Sequence, residues 1–182
     1  FPYTTLFRSV PEGFLVLDNL KNERADWREY WPIRQFLKNN YLSDDVLYGF
    51  LSPKFSQKTG LNHEDIQDFL NTHYSDQDVV SFSPFWDLSS IFKNVFEQGD
   101  FFHAGLTEAC QAFSDIHLAG IDLSDSITHS QNNIFCNYFL AKKSFWLEWL
   151  EFMGGAYRPR KSISLRRSDG FEKIEPTWLV LH

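Results

Sequence analysis

The chain has 182 residues, 43% of them hydrophobic and 18% aromatic, with 19 phenylalanines and a net charge of −7. That length fits one domain with a sizeable core, and so much apolar and aromatic content excludes a disordered chain. The acid excess argues against nucleic acid as a general partner, and no apolar run approaches the ~20 residues that span a bilayer, so no transmembrane segment is predicted.

Taken in chain order, the first stretch is "FPYTTLFRS". Phe1 to Ser9 reads either as a short edge strand or, back-translated with allowed codons, as one frame of a synthetic sequencing adapter, which it resembles. On the second reading it is excluded from fold reasoning. The biological chain then starts near Val10, comes from assembled environmental reads and lacks its true start. "GFLVLDNL" is an apolar run closing on Asp18 and Asn19, a buried strand and its exit loop. In "DWREYWPIRQFLKNN", Asp26 and Glu29 have capping-box spacing, and Trp27, Tyr30, Trp31 and Leu37 share a helical face. Pro32 lacks the N–H of the helix ladder, so the regular helix is predicted to begin near Trp31, with Pro32 in its first turn.

"VLYGFLSP" predicts the second strand, stopped by Pro53. "NHEDIQDFLNTHY" predicts a helix capped by Asn62, with Ile66, Phe69 and Leu70 inward. "DVVSFSP" is a third strand, and "DLSSIFKNVFEQ" and "AGLTEACQAFSDIHLAG" are two helices. "NNIFCNYFLA" is a fourth strand, and "KSFWLEWLEFM" a helix with Trp146, Trp149 and Phe152 in the core. Cys110 and Cys136 lack metal spacing and read as buried free thiols of a cytosolic protein. Gly154 to His182 carries six Lys/Arg against three Asp/Glu, leaving the remainder at −10. It reads as a basic, irregular segment. A solvated linker, a surface for phosphates or anionic lipid (hence peripheral membrane contact) and a damaged frame all stay open for it. The organisation expected is thus an artefact over 1–9, one α/β domain over 10–153 and the basic segment over 154–182.

Strands alternating with helices imply βαβ units and a mainly parallel sheet with helices on both faces. Such sheets bind ligands beyond the carboxyl ends of their strands. That places Asp18 and Asn19 after the first strand, Ser52, Lys54 and Lys58 after the second, and Ser83 and Asp87 after the third. "SPKFSQKTG" brings two lysines, two serines and a threonine to a strand end. The lysines suit a diphosphate, while a solvated loop anchored by Phe55 explains the same composition. The glycine spacing is not that of a P-loop. Asp18 and Asn19 could orient a sugar hydroxyl or act as a base, or simply form a turn before a helix. Asp76 and Asp78 have the spacing of a divalent-ion pair, but they precede the third strand and so lie at the wrong end of the sheet. No convincing metal motif or other cofactor motif is present. Asn137 interrupts an apolar strand, and a buried amide left unbonded costs ~1–3 kcal/mol, so it either satisfies backbone or faces a ligand.

The blocks "DNL…WREYWPIRQFL", "YGFLSPKFSQKTGL", "DVVSFSP", "NVFEQGD" and "NYFLAKKSFWLEWLEF" together resemble proteins encoded among bacterial surface-polysaccharide genes, which look like small GT-A-type glycosyltransferases. The resemblance covers roughly Gly13 to Phe152. It implies a Rossmann-like, GT-A-like fold lacking its first strand, a nucleotide-sugar donor and a glycan acceptor. The matched blocks nominate Asp18, Asn19, Lys54, Lys58, Asn137 and Tyr138 for binding, without fixing a catalytic base. The Asp-x-Asp that such enzymes carry at a central strand end is not in place. Two functions follow: a transferase acting on a nucleotide sugar, or a non-catalytic α/β module that binds glycan or assembles with polysaccharide-synthesis enzymes. If Phe1 to Ser9 is adapter-derived, deleting it should change unfolding free energy by no more than ~0.5 kcal/mol, as measured by chemical denaturation. A larger loss would mark it as a genuine strand.

Overall fold

A computed structural model describes residues 12–21, 23–83, 85–118, 120–130, 132–156 and 177–181. Phe1 to Ser9 and residues 157–176 of the basic segment lie outside the described residues. The described elements follow the order β1 (Leu15–Asp18), α1 (Tyr30–Asn39), β2 (Leu47–Leu51), α2 (Phe55–Thr59), α3 (His63–His73), β3 (Val79–Ser81), α4 (Trp86–Ile91), α5 (Val95–Phe102), α6 (Leu106–His117), β4 (Phe139–Lys142), α7 (Lys143–Ala156) and β5 (Thr177–Leu181).

The sheet corrects the expected fold class. Its strand order is β1-β5-β2-β4-β3, and every neighbouring pair is antiparallel. It is therefore not a mainly parallel Rossmann-like sheet. The first three strands do share one direction, as their intervening helices require. Each crossover, however, skips a slot: β5 fills the one between β1 and β2, and β4 the one between β2 and β3. Periodicity shows that a strand exists, not which strand lies beside it. A second correction concerns the tail. Thr177–Leu181, expected within the irregular segment, forms β5 in the interior of the sheet, pairing Leu179 with both Val16 and Leu51.

The chain divides into two compact units. The first comprises residues 1–82, 137–150 and 174–182, and contains the sheet. Its core gathers Leu17, Ile33, Leu37, Leu42, Tyr48, Phe50, Phe139, Ala141 and Trp146. β2 is buried along almost its whole length. Gly49 is required there, because a Cβ would run into the Leu140 side chain and lie 2.9 Å from the Phe139 carbonyl oxygen across the ladder. Trp146, 2% exposed, stacks on Phe139 at 5.3 Å and meets Phe50 edge-on at 4.9 Å. Its indole N–H donates to the Tyr48 carbonyl at 2.9 Å. Trp149 packs against this cluster half-buried, whereas Phe152, expected in the core, is 38% exposed. α1 begins at Tyr30 with Pro32 in its first turn, as its missing N–H dictates. α3 carries the full capping box between Asn62 and Asp65.

The second unit comprises residues 83–136 and 151–173. One expected helix is two here, because Asn94 ends the run and caps α5 by accepting from the Glu97 N–H at 2.8 Å. Asn94 is wholly buried and donates to the carbonyls of Leu123 and Ser126 at 3.1 and 2.7 Å. Asp100 Oδ1 accepts from the N–H groups of Gly105 and Thr107, tying α5 to α6. Phe113 of α6 meets Phe152 edge-to-face at 5.0 Å.

Trp146→Ala should cost ~3–5 kcal/mol in urea unfolding, the range for a fully buried large aromatic. Trp149→Ala should cost clearly less, since its ring is only partly covered. The reverse order would show that the core is centred elsewhere.

Candidate functional site

Because β1, β2 and β3 share a direction and β4 opposes them, the exits of β1 and β2 and the entry to β4 fall on one sheet edge. Part of the expected polar group meets there. The Ser52 and Tyr138 hydroxyls lie 3.1 Å apart, and Ser52 Oγ accepts from the Lys54 N–H at 3.1 Å. The rest of that edge is filled by rings. Phe55 is fully buried and meets Tyr138 at right angles with 5.2 Å between centroids, and Phe14 packs against both Phe55 and His63. Tyr138 is itself 2% exposed.

Each of the other nominated residues is set by its own segment. Asp18 is exposed and accepts from the Leu20 N–H at 2.8 Å, the local turn weighed for it from sequence. Asn19 is buried beside it. Lys54 precedes the short α2, and Lys58 lies exposed in that helix's last turn. Asn137, expected inside a strand, lies outside β4 and is exposed, so the buried-amide argument fails for it. The buried amides of the described chain are Asn19, Asn94 and Asn133. In the second unit, buried Ser83 donates to the Cys136 carbonyl at 3.3 Å, and Asp87 sits exposed in the first turn of α4.

Asp76 and Asp78 lie before β3, at the opposite edge from the exits of β1 and β2. The Lys142 ammonium occupies the space between them, 2.9 Å from Asp76 Oδ1, 3.3 Å from Asp78 Oδ1 and 2.8 Å from the Asp76 carbonyl. These bonds hold the Lys142 pKa above its ordinary value, the hydrogen bond to Asp76 contributing most. An ammonium thus takes the position a divalent ion would need. Among the described residues no group of three or more His, Cys, Asp or Glu side chains could hold a metal.

A different cluster stands out in the first unit, just ahead of α1. A single 3-10 turn over Ala25–Trp27 is followed by Arg28 at φ 50, ψ −138, a backbone region where only glycine is comfortable. This kink brings Trp27 and Trp31 together edge-to-face at 5.5 Å, both half-buried. Tyr30, buried beneath them, touches Trp27 at 5.4 Å and Trp149 at 5.3 Å. Burial pushes the Tyr30 phenol up in pKa, with the charge of Arg34 pulling the other way. Two guanidinium groups lie over the rings. Arg24 lies 3.9 Å above Trp27 and makes a bidentate pair with Asp26 at 3.0 and 2.7 Å, which lowers the Asp26 pKa. Arg34 sits 5.9 Å from the centroids of both indoles. Glu29 Oε1 accepts from Asn137 Nδ2 at 3.3 Å across 108 positions of sequence.

No protein-family model, curated protein or solved structure matches the chain. The geometry of the unit itself is therefore what bears on function.

Sequence reading missed this cluster because helical spacing assigned both indoles to one packed face. The signal that could have found it is the pairing of Trp with Arg, Asp and Glu in "RADWREYW", too polar a set for a core. The strain at Arg28 can be isolated by comparing two substitutions that both remove the side chain. Arg28→Gly should be more stable than Arg28→Ala by about 1 kcal/mol in thermal or urea unfolding, because only glycine relaxes at that φ. Equal stability would mean that the turn is not strained.

Proposed function

We propose that this chain is a non-catalytic α/β module that binds glycan in bacterial surface-polysaccharide synthesis. The observation carrying the reading is the half-buried Trp27–Trp31 pair with Arg24 and Arg34 over its rings, Asp26 bonded to Arg24, and Glu29, between the two indoles in sequence, bonded to Asn137. A pyranose has an apolar C–H face and a rim of hydroxyls. An indole offers a matching apolar face, and planar amide, carboxylate and guanidinium groups match the hydroxyl rim. Tyr30 and Trp149 back the rings and limit the side-chain entropy lost on binding.

The transferase reading rests on the family resemblance. The strand edge where it needs a donor pocket is occupied by Phe55 and Tyr138, Asp18 is engaged in its own turn, and Asn137 bonds Glu29. Membrane contact through the basic segment belongs to the same proposal. No helix among the described residues is long and apolar enough to cross a bilayer.

Oligosaccharides released from a bacterial surface glycan should change the tryptophan fluorescence of the parent. Trp31→Ala should weaken that binding more than tenfold, which is ~1.4 kcal/mol, while the melting curve keeps its cooperativity. The same preparation should not release nucleoside diphosphate from nucleotide sugars, with or without acceptor. Steady release of nucleoside diphosphate would return the chain to the transferases.

A further inference from the structure

We propose that the indole pair takes a carboxylated pyranose, a uronic-acid residue of an acidic polysaccharide, and that Arg34 reads its carboxylate. This rests on the glycan-binding reading above. The two arginines at the rings differ in what they already hold. Arg24 is committed, both of its contacting nitrogens going to the two oxygens of Asp26. Arg34 has no carboxylate partner among the described residues, and its Cζ stands 5.9 Å from the centroids of both indoles. A guanidinium in that position carries its charge with no neutralising carboxylate from the described residues, and its fork matches a carboxylate in two parallel hydrogen bonds.

The chemistry of a uronic acid fits this arrangement. Its carboxylate hangs from the ring edge, so it projects past an indole when the C–H face stacks on that indole. Arg34 stands 5.9 Å from the centroid of either indole. A neutral sugar would cover the rings equally well but would leave the guanidinium desolvated without an anion, which costs affinity. The charge balance points the same way. At the pair, Arg24 is matched by Asp26 and Glu29 bonds the neutral Asn137, while the whole chain carries −7. An acidic polymer is therefore opposed by the net charge of the chain, so that a contact at Arg34 favours register over non-specific adhesion.

The test uses the full chain, an oligogalacturonate and a neutral glucan oligosaccharide of equal length, with calorimetry and tryptophan fluorescence at low and high salt. The parent should bind the oligogalacturonate at least tenfold more tightly than the glucan, and the gap should narrow as salt rises. Arg34→Gln should bring the two ligands to equal affinity. Arg34→Lys should keep part of the preference, since the charge stays and the fork is lost. Melting curves identify any variant that fails to fold. Should Arg34→Gln be one, Arg34→Lys and the parent's salt dependence decide. Equal binding of both ligands by the parent overturns the role of Arg34 and leaves glycan binding standing. Binding of neither ligand removes the glycan reading and this proposal with it.

Discussion

The N–H of Trp146 cannot be buried without a partner, and the carbonyl of Tyr48 supplies one at 2.9 Å. That bond fixes α7 against β2. It sets the ring parallel to Phe139 of β4 and at right angles to Phe50 of β2. β4 runs into α7 without a loop, Lys142 ending one and Lys143 starting the other. The strand and helix are therefore positioned together by a single side chain. Trp149 lies one turn further along the same helix, in contact with Trp146 and Tyr30. Through it the core reaches the turn that holds Trp27 and Trp31. The candidate site thus adjoins, through Trp27 and Tyr30, the same aromatic column that anchors the sheet.

That column was legible in the sequence, as was the capping of α3. The spacing in "SFWLEWL" gave a buried helix face, and "NHED" gave the capping box found at Asn62 and Asp65. Both are local, with all partners within one or two turns. The sheet was not legible to the same degree. Of the four strands read from alternation with helices, the first three share a direction but are not neighbours, and the fourth runs against them. β5 lies in a stretch whose flank is rich in arginine and serine, and five residues of "TWLVL" carry no period that distinguishes a strand from a buried loop. Sheet order is decided by which strands can cover one another's backbone groups, a long-range property that neither composition nor spacing encodes.

The site divides in the same way. Ser52 and Lys54 were placed at a strand exit, and Tyr138, nominated by the resemblance alone, meets Ser52 there because β4 runs against β2. Asn137 was singled out for burial and is exposed, its partner being Glu29. The interest in that amide was well placed and its environment was not. The neighbouring residues decide whether an Asn is inside or outside, and β4 starts only at Phe139, two residues after Asn137, whereas the expected strand began at Asn132. The indole pair escaped notice for the opposite reason. A helical face of Trp, Tyr and Trp looks like core, and only the kink at Arg28 turns two of those rings outward.

The Asp-x-Asp of "SDQD" shows how little a spacing settles by itself. In a nucleotide-sugar enzyme such a pair works because a divalent ion between the carboxylates meets the phosphates. Here Lys142, the last residue of β4, reaches across the edge of β3 and puts one positive charge where two would be needed. An ammonium cannot be shared with a diphosphate in the way a metal with open positions can. The pair instead closes the β3–β4 edge, where the Lys142 N–H also donates to the Asp78 carbonyl at 2.9 Å. Charge that would have served catalysis in another fold here serves pairing. Around the indoles, by contrast, the guanidinium of Arg34 has no carboxylate of the described residues to neutralise it.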